Sequence, residues 1–121
     1  MTISNGVSLI GNGRFAKVVD RYDTKFLERI FTPDEREYCL KSVNSLQRFS
    51  ARFAAKCAFY QAVRWMGVRN YNQIQVSKDI YGAPFFEFRG ILKNRWRNIG
   101  EIHLTLSHIK DYSLANVIIE K

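Results

Sequence analysis

The chain opens on one hydrophobic rhythm and closes on another. The run from Ile3 to Ile10 is short, partly β-branched and closed by Gly11, Asn12 and Gly13, which predicts a strand followed by a turn. From Phe15 the apolar residues Val18, Val19 and Tyr22 recur at the i, i+3, i+4, i+7 spacing. That spacing predicts a helix, with Arg14, Lys17, Arg21 and Lys25 together on the adjoining face. By periodicity alone the basic stripe is either a docking face or a solvated flank of the core stripe. Thr32, Pro33, Asp34 and Glu35 combine a capping hydroxyl, a proline at the first helical position and a glutamate three residues after the cap. A second helix therefore runs from there to about Leu40. A longer one starts near Asn44 or Ser45 and stops at Gly67, a left-handed terminator. Leu46, Phe49, Phe53, Cys57 and Tyr60 share one of its stripes, and Ala51, Ala54, Ala55, Ala58 and Ala62 favour the helix and permit close packing.

Beyond Gly67 the period shortens toward two. Ile74 and Val76 alternate with polar neighbours, Asp79 to Pro84 supply turn residues, and Phe86 and Phe88 alternate on the far side, so a hairpin is predicted. Gly90 to Asn98 reads as a short basic helical segment around Trp96. The end of the chain offers a second hairpin, with Ile102, Leu104 and Leu106 in its first strand and Val117, Ile118 and Ile119 in its second. Helices early and antiparallel strands late make an α+β fold.

At 121 residues the chain is the size of one domain, residues 1–121, and no repeat or linker divides it. Apolar residues make up 46% and charged residues 25%, the balance of a chain that folds throughout. Nineteen Lys and Arg against 11 Asp and Glu give a net charge of +8, which favours an acidic partner without naming it. No apolar run approaches the ~20 residues needed to span a bilayer, and the N-terminal stretch lacks a charged lead and a long apolar segment. The expectation is a cytoplasmic protein with no membrane association. Cys39 and Cys57 both sit in helical patterns and are expected as reduced thiols.

Several local patterns, in order, resemble the holo-acyl-carrier-protein synthases, small 4′-phosphopantetheinyl transferases. GVSLIGNGRF is similar to the family's glycine, aspartate and arginine pattern, here Gly6, Ser8 and Arg14. IFTPDE, Ile30 to Glu35, resembles the start of the family's second helix. ARFAAKCAF, Ala51 to Phe59, resembles RFAAKEAF and is the most specific match. Gly82 and Pro84 resemble a Gly-x-Pro turn, and LTLSHIKDYSLANVII resembles the closing strand, Ser-His and strand. The resemblance covers nearly the whole chain. It implies the 4′-phosphopantetheinyl transferase fold, an antiparallel sheet packed on a long helix, assembled as a homotrimer with active sites in clefts between subunits. It also implies coenzyme A and magnesium in the cleft, and transfer of the phosphopantetheine arm to a serine of an acyl carrier protein. Under it, Arg14, Lys17, Arg21 and Lys25 acquire the role of docking the carrier's acidic helix.

The same resemblance exposes what is missing. Where the family supplies an aspartate and a glutamate to magnesium, this chain has Ser8 and Cys57, and the lysine one turn beyond corresponds to Gln61. Magnesium takes hard oxygen ligands, typically one or two carboxylates, and a thiol is mismatched to it. The expectation is an impaired transferase with no resident metal, in which Lys56, Ser107 and His108 still contact coenzyme A. A non-catalytic, carrier-binding or regulatory relative is the alternative form. Residue by residue, other readings stay open: Lys56 as a surface lysine laid along the apolar stripe, His108 as a neutral imidazole bonded to backbone, Cys57 as a small buried hydrophobe. A zinc site from Cys39, Cys57, His103 and His108 has no recognised spacing. From another class, the charge, the segment Arg89 to Arg97 and the aromatics of GAPFFEFRG allow a nucleic-acid-binding module, disfavoured because Pro84 interrupts the strand motif.

Overall fold

The computed structural model describes residues 3–67, 70–90, 92–95 and 99–121. Strand β1 (Ile3–Gly11) leads into helix α1 (Asn12–Ile30), followed by α2 (Pro33–Leu40) and the long α3 (Ser45–Ala62). Two 3-10 turns, Arg64–Met66 and Tyr71–Gln73, precede the hairpin of β2 (Ile74–Lys78) and β3 (Pro84–Phe88). A short helix α4 (Leu92–Arg95) and the hairpin of β4 (Glu101–His108) and β5 (Tyr112–Glu120) complete the chain. Of the basic segment expected around Trp96, residues 96–98 lie outside the described residues. The architecture is α+β, as the two rhythms predict.

β1 returns to the end of the chain, pairing antiparallel with β5, so the sheet order is β1-β5-β4. One face of this sheet lies on α3. Alternation along β5 turns Ala115, Val117 and Ile119 inward, where they meet Ala54, Ala55, Ala58 and Phe59. Gly6 sets how close the layers come. A Cβ placed there would lie 1.9 Å from the Ala58 carbonyl oxygen, so no other residue lets β1 rest on the helix at this depth. Phe86 and Phe88 pack on the Phe59 ring at 5.2 and 5.5 Å. Both rings are partly buried and pack against the core.

Three sequence expectations shift. Helix α1 begins at Asn12, inside the stretch expected as a turn, and Asn12 is held by the β4–β5 loop: its backbone N–H donates to Asp111 O at 2.8 Å and its Nδ2 to Ile109 O and Lys110 O. The buried stripe of α1 runs through Phe15 and Ile30 with Val19, Phe26 and Leu27 beside them, while Val18 and Tyr22 face solvent. Helix α3 ends at Ala62, and Gly67, with φ 69°, closes the following 3-10 turn instead. The start of α2 forms as written in the sequence. Glu35 N–H donates to Thr32 Oγ1 at 3.2 Å and Thr32 N–H donates to Glu35 Oε1 at 3.0 Å, a complete capping box.

Candidate functional site

Because Gly6 seats β1 against Ala58, the next inward residue of the strand, Ser8, arrives beside Cys57, one residue before Ala58. Gln61 lies one turn further along the same stripe of α3. Its Oε1 accepts the Val7 N–H at 2.7 Å and ties the free side of β1 to the helix. Ser8, Cys57 and Gln61, expected together from the resemblance, therefore line one open cleft of about 370 Å³. Tyr60, Arg64 and Tyr71 complete its wall. The Tyr60 hydroxyl donates to Asn70 O and accepts from Asn70 N–H. Burial pushes its pKa up to about 12, so it stays neutral and committed.

The magnesium ion implied by the resemblance does not fit this donor set. Among the described residues lining the cleft there is no carboxylate, only a hydroxyl, a thiol, a carboxamide and phenols beside one guanidinium. Hard divalent ions of this kind are held by carboxylate oxygens together with substrate phosphates and waters.

Lys56 is elsewhere. The expectations of a coenzyme A contact and of a surface lysine both yield to a fully buried side chain whose Nζ donates to Ile30 O at 2.7 Å, Tyr71 O at 2.8 Å and Glu35 Oε1. Three donors thus meet three acceptors, and none is left for a phosphate. Burial pulls the ammonium pKa down, while the Glu35 carboxylate opposes that shift. The second Glu35 oxygen accepts the Val76 N–H at 2.8 Å, so one ion pair joins α2, α3 and β2.

Of the Ser-His pair at the end of β4, His108 lines a second recess, about 270 Å³, with Arg48, Arg52, Lys78, Gly82 and Pro84 around it. Strand alternation sends the exposed Ser107 to the opposite face, so the two open onto different sides of the strand. The basic character of this recess escaped the sequence reading. Arg52 is 4% exposed, its guanidinium and that of Arg48 lie 4.5 and 4.6 Å from the Tyr38 ring centroid, and its Nε is buried without a partner. The arginine that opens RFAAK was the available signal. Arg52 and Cys57 are five residues apart, which at about 3.6 residues per turn puts the two recesses on opposing sides of α3.

The four basic residues of α1, Arg14, Lys17, Arg21 and Lys25, are all exposed. Val18 (37% exposed) and Tyr22 (54%) stand among them, with the Arg21 guanidinium 5.6 Å from the Tyr22 ring centroid. The surface is thus basic and apolar at once. Among the described residues no helix is long and apolar enough to cross a membrane.

Known proteins share both sequence and shape with this chain. The family model described as the 4′-phosphopantetheinyl transferase superfamily matches residues 12–117. A curated holo-[acyl-carrier-protein] synthase of Koribacter versatilis (strain Ellin345) is 34% identical over 125 residues, covering 99% of each chain. Another, from Geotalea daltonii, is 33% identical over 126 residues and covers 100% of both. Among solved structures, the holo-[acyl-carrier-protein] synthase of Neisseria meningitidis superposes with a TM-score of 0.86 at 27% identity, over 98% of each chain. The Bacillus anthracis enzyme, solved in complex with CoA (3′,5′-ADP), gives 0.77 at 28% identity, over 96% of this chain and 94% of its own.

Proposed function

The chain belongs to the 4′-phosphopantetheinyl transferase superfamily, among the holo-acyl-carrier-protein synthases, and from that premise we propose that it binds an acyl carrier protein and coenzyme A but transfers the phosphopantetheine arm poorly. The observation that carries this reading is the cleft in which Ser8, Cys57 and Gln61 meet without a carboxylate. In the family reaction the carrier's serine oxygen bonds to the phosphorus bearing pantetheine. The bridging P–O bond to the nucleotide half breaks, adenosine 3′,5′-bisphosphate leaves, and the hydroxyl proton passes to solvent. Stabilising the charge on that leaving group is the main catalytic task. A Lewis-acid metal contributes several kcal/mol to it, and each ~1.4 kcal/mol lost is tenfold in rate.

Two features support the binding half. The α1 face offers cations to steer an acidic helix and exposed Val18 and Tyr22 to hold it. The His108 recess offers Arg48, Arg52 and Lys78 to a phosphorylated nucleotide. A homotrimer is consistent with both recesses facing away from each other across α3, since only a neighbouring copy brings them together. The outer face of the sheet, where Ile3, Leu9, Leu114 and Ile118 are exposed, is the surface such copies would cover.

The test is a transfer assay with coenzyme A, magnesium and several apo carrier proteins, read as the phosphopantetheine mass increment. Slow transfer by the natural chain, accelerated by the combined changes Ser8→Asp, Cys57→Glu and Gln61→Lys, is the expected result. Transfer at an ordinary enzymatic rate overturns the impairment. No transfer by either protein, with carrier binding retained, means that the divergence extends beyond these three positions and favours the non-catalytic, carrier-binding alternative.

A further inference from the structure

The cleft beside β1 lacks anionic ligands but is not without charge. Arg64, first residue of the 3-10 turn that follows α3, stands three residues beyond Gln61 and seven beyond Cys57, so it prolongs their stripe past the end of the helix. It is the one residue with a charged side chain among those lining the cleft. It also lines the adjoining recess with Asn5, Gly6 and Trp65, so it is shared by two open grooves along β1. Its side chain is exposed and makes no ion pair or hydrogen bond with any described residue. Its backbone, by contrast, is fixed: Val63 before it is buried, and the Gly67 N–H donates to Arg64 O at 3.2 Å.

We infer that Arg64 takes the diphosphate of coenzyme A directly in this cleft, with no divalent metal between protein and phosphate. The inference rests on the coenzyme A reading above and deepens it. Two carboxylates in this place would repel a diphosphate unless a cation stood between them. With Ser8 and Cys57 neutral that repulsion is absent, and a single fixed cation gives net attraction. Guanidinium suits the role because it is planar, charged at every accessible pH, and donates two parallel N–H bonds to one phosphate. Gln61 assists without charge. Its Oε1 accepts the Val7 N–H, which leaves its Nε2 as a neutral donor on a residue of the same wall. Neutral residues at Ser8, Cys57 and Gln61 and a fixed cation at Arg64 are then one arrangement, in which the protein itself supplies the positive charge that faces the diphosphate.

Isothermal titration of the full chain with coenzyme A, in EDTA and in magnesium chloride, tests this. The natural chain is expected to bind equally well in both. Arg64→Ala should lose roughly tenfold or more in both, and Arg64→Lys should fall between them, as a point charge in place of a fork. Melting temperature serves as the control for folding and is expected not to move, since the side chain has no partner to lose. Equal binding by Arg64→Ala, or tightening of the natural chain by magnesium of tenfold or more, overturns the inference and leaves the coenzyme A reading standing. Absence of coenzyme A binding by the natural chain in either buffer overturns both.

Discussion

Lys56 and Cys57 are neighbours in the chain and face different worlds. Lys56 turns into the interior, where Glu35, two backbone carbonyls and the Phe31 ring enclose it. Cys57 turns into an open cleft beside Ser8, among side chains that are neutral save for Arg64. Within one short motif, therefore, a charged side chain holds helices and strand together and its neutral neighbour faces an open cleft. Fold and chemistry draw on separate sides of the same helix. The buried ion pair on one side of α3 and the open cleft on the other share no side chain, so the cleft can vary in composition without breaking the pair.

Substitutions on the two sides of α3 sharpen that contrast. The largest effect is expected from Lys56→Met, which strands a buried Glu35 carboxylate and should cost about 3–5 kcal/mol in urea unfolding. Cys57→Ala, one residue away and half-buried, should cost less than about 1.5 kcal/mol in the same measurement. Equal losses would erase the distinction. Next in size, the three changes Ser8→Asp, Cys57→Glu and Gln61→Lys should raise magnesium-dependent transfer by on the order of a hundredfold, or nearly 3 kcal/mol of barrier. Stability should fall only slightly, because the cleft is open. A smaller effect is expected on the interior side from Thr32→Ala, which removes the cap of α2 and should lower stability by about 1 kcal/mol. Smallest in energy per residue, Lys17→Glu with Arg21→Glu should weaken carrier binding several-fold at low salt and change it little at high salt, leaving unfolding unaltered. A salt-independent loss would point to Val18 and Tyr22 as the main contacts.

Local chemistry was legible in advance. The Thr32–Glu35 capping box, the hairpins and the meeting of Ser8 with Cys57 follow from spacing or from the RFAAK resemblance, because each depends on residues near in sequence or fixed by a known frame. What the sequence concealed was tertiary. Nothing near Lys56 announces that Glu35, 21 residues away, supplies its partner, and a stripe on a helical wheel does not say which flank is sealed. The basic recess was hidden for the same reason, since Arg48 and Arg52 come from a helix, Lys78 from a hairpin and His108 from the closing sheet. Val18 and Tyr22 fit the helical period yet stay exposed, because periodicity fixes a face but not its width.

Asn12 carries a last consequence. Its Oδ1 accepts from Ser50 on α3 at 2.7 Å and from Ser113 on β5 at 3.1 Å, while its Nδ2 reaches the loop that follows His108. The first turn of the basic helix, the long helix and the end of β4 are thereby pinned at a single amide. A load placed on α1 cannot rock it against the His108 loop without tearing a buried knot, so whatever docks on the outside meets a lever with its fulcrum locked.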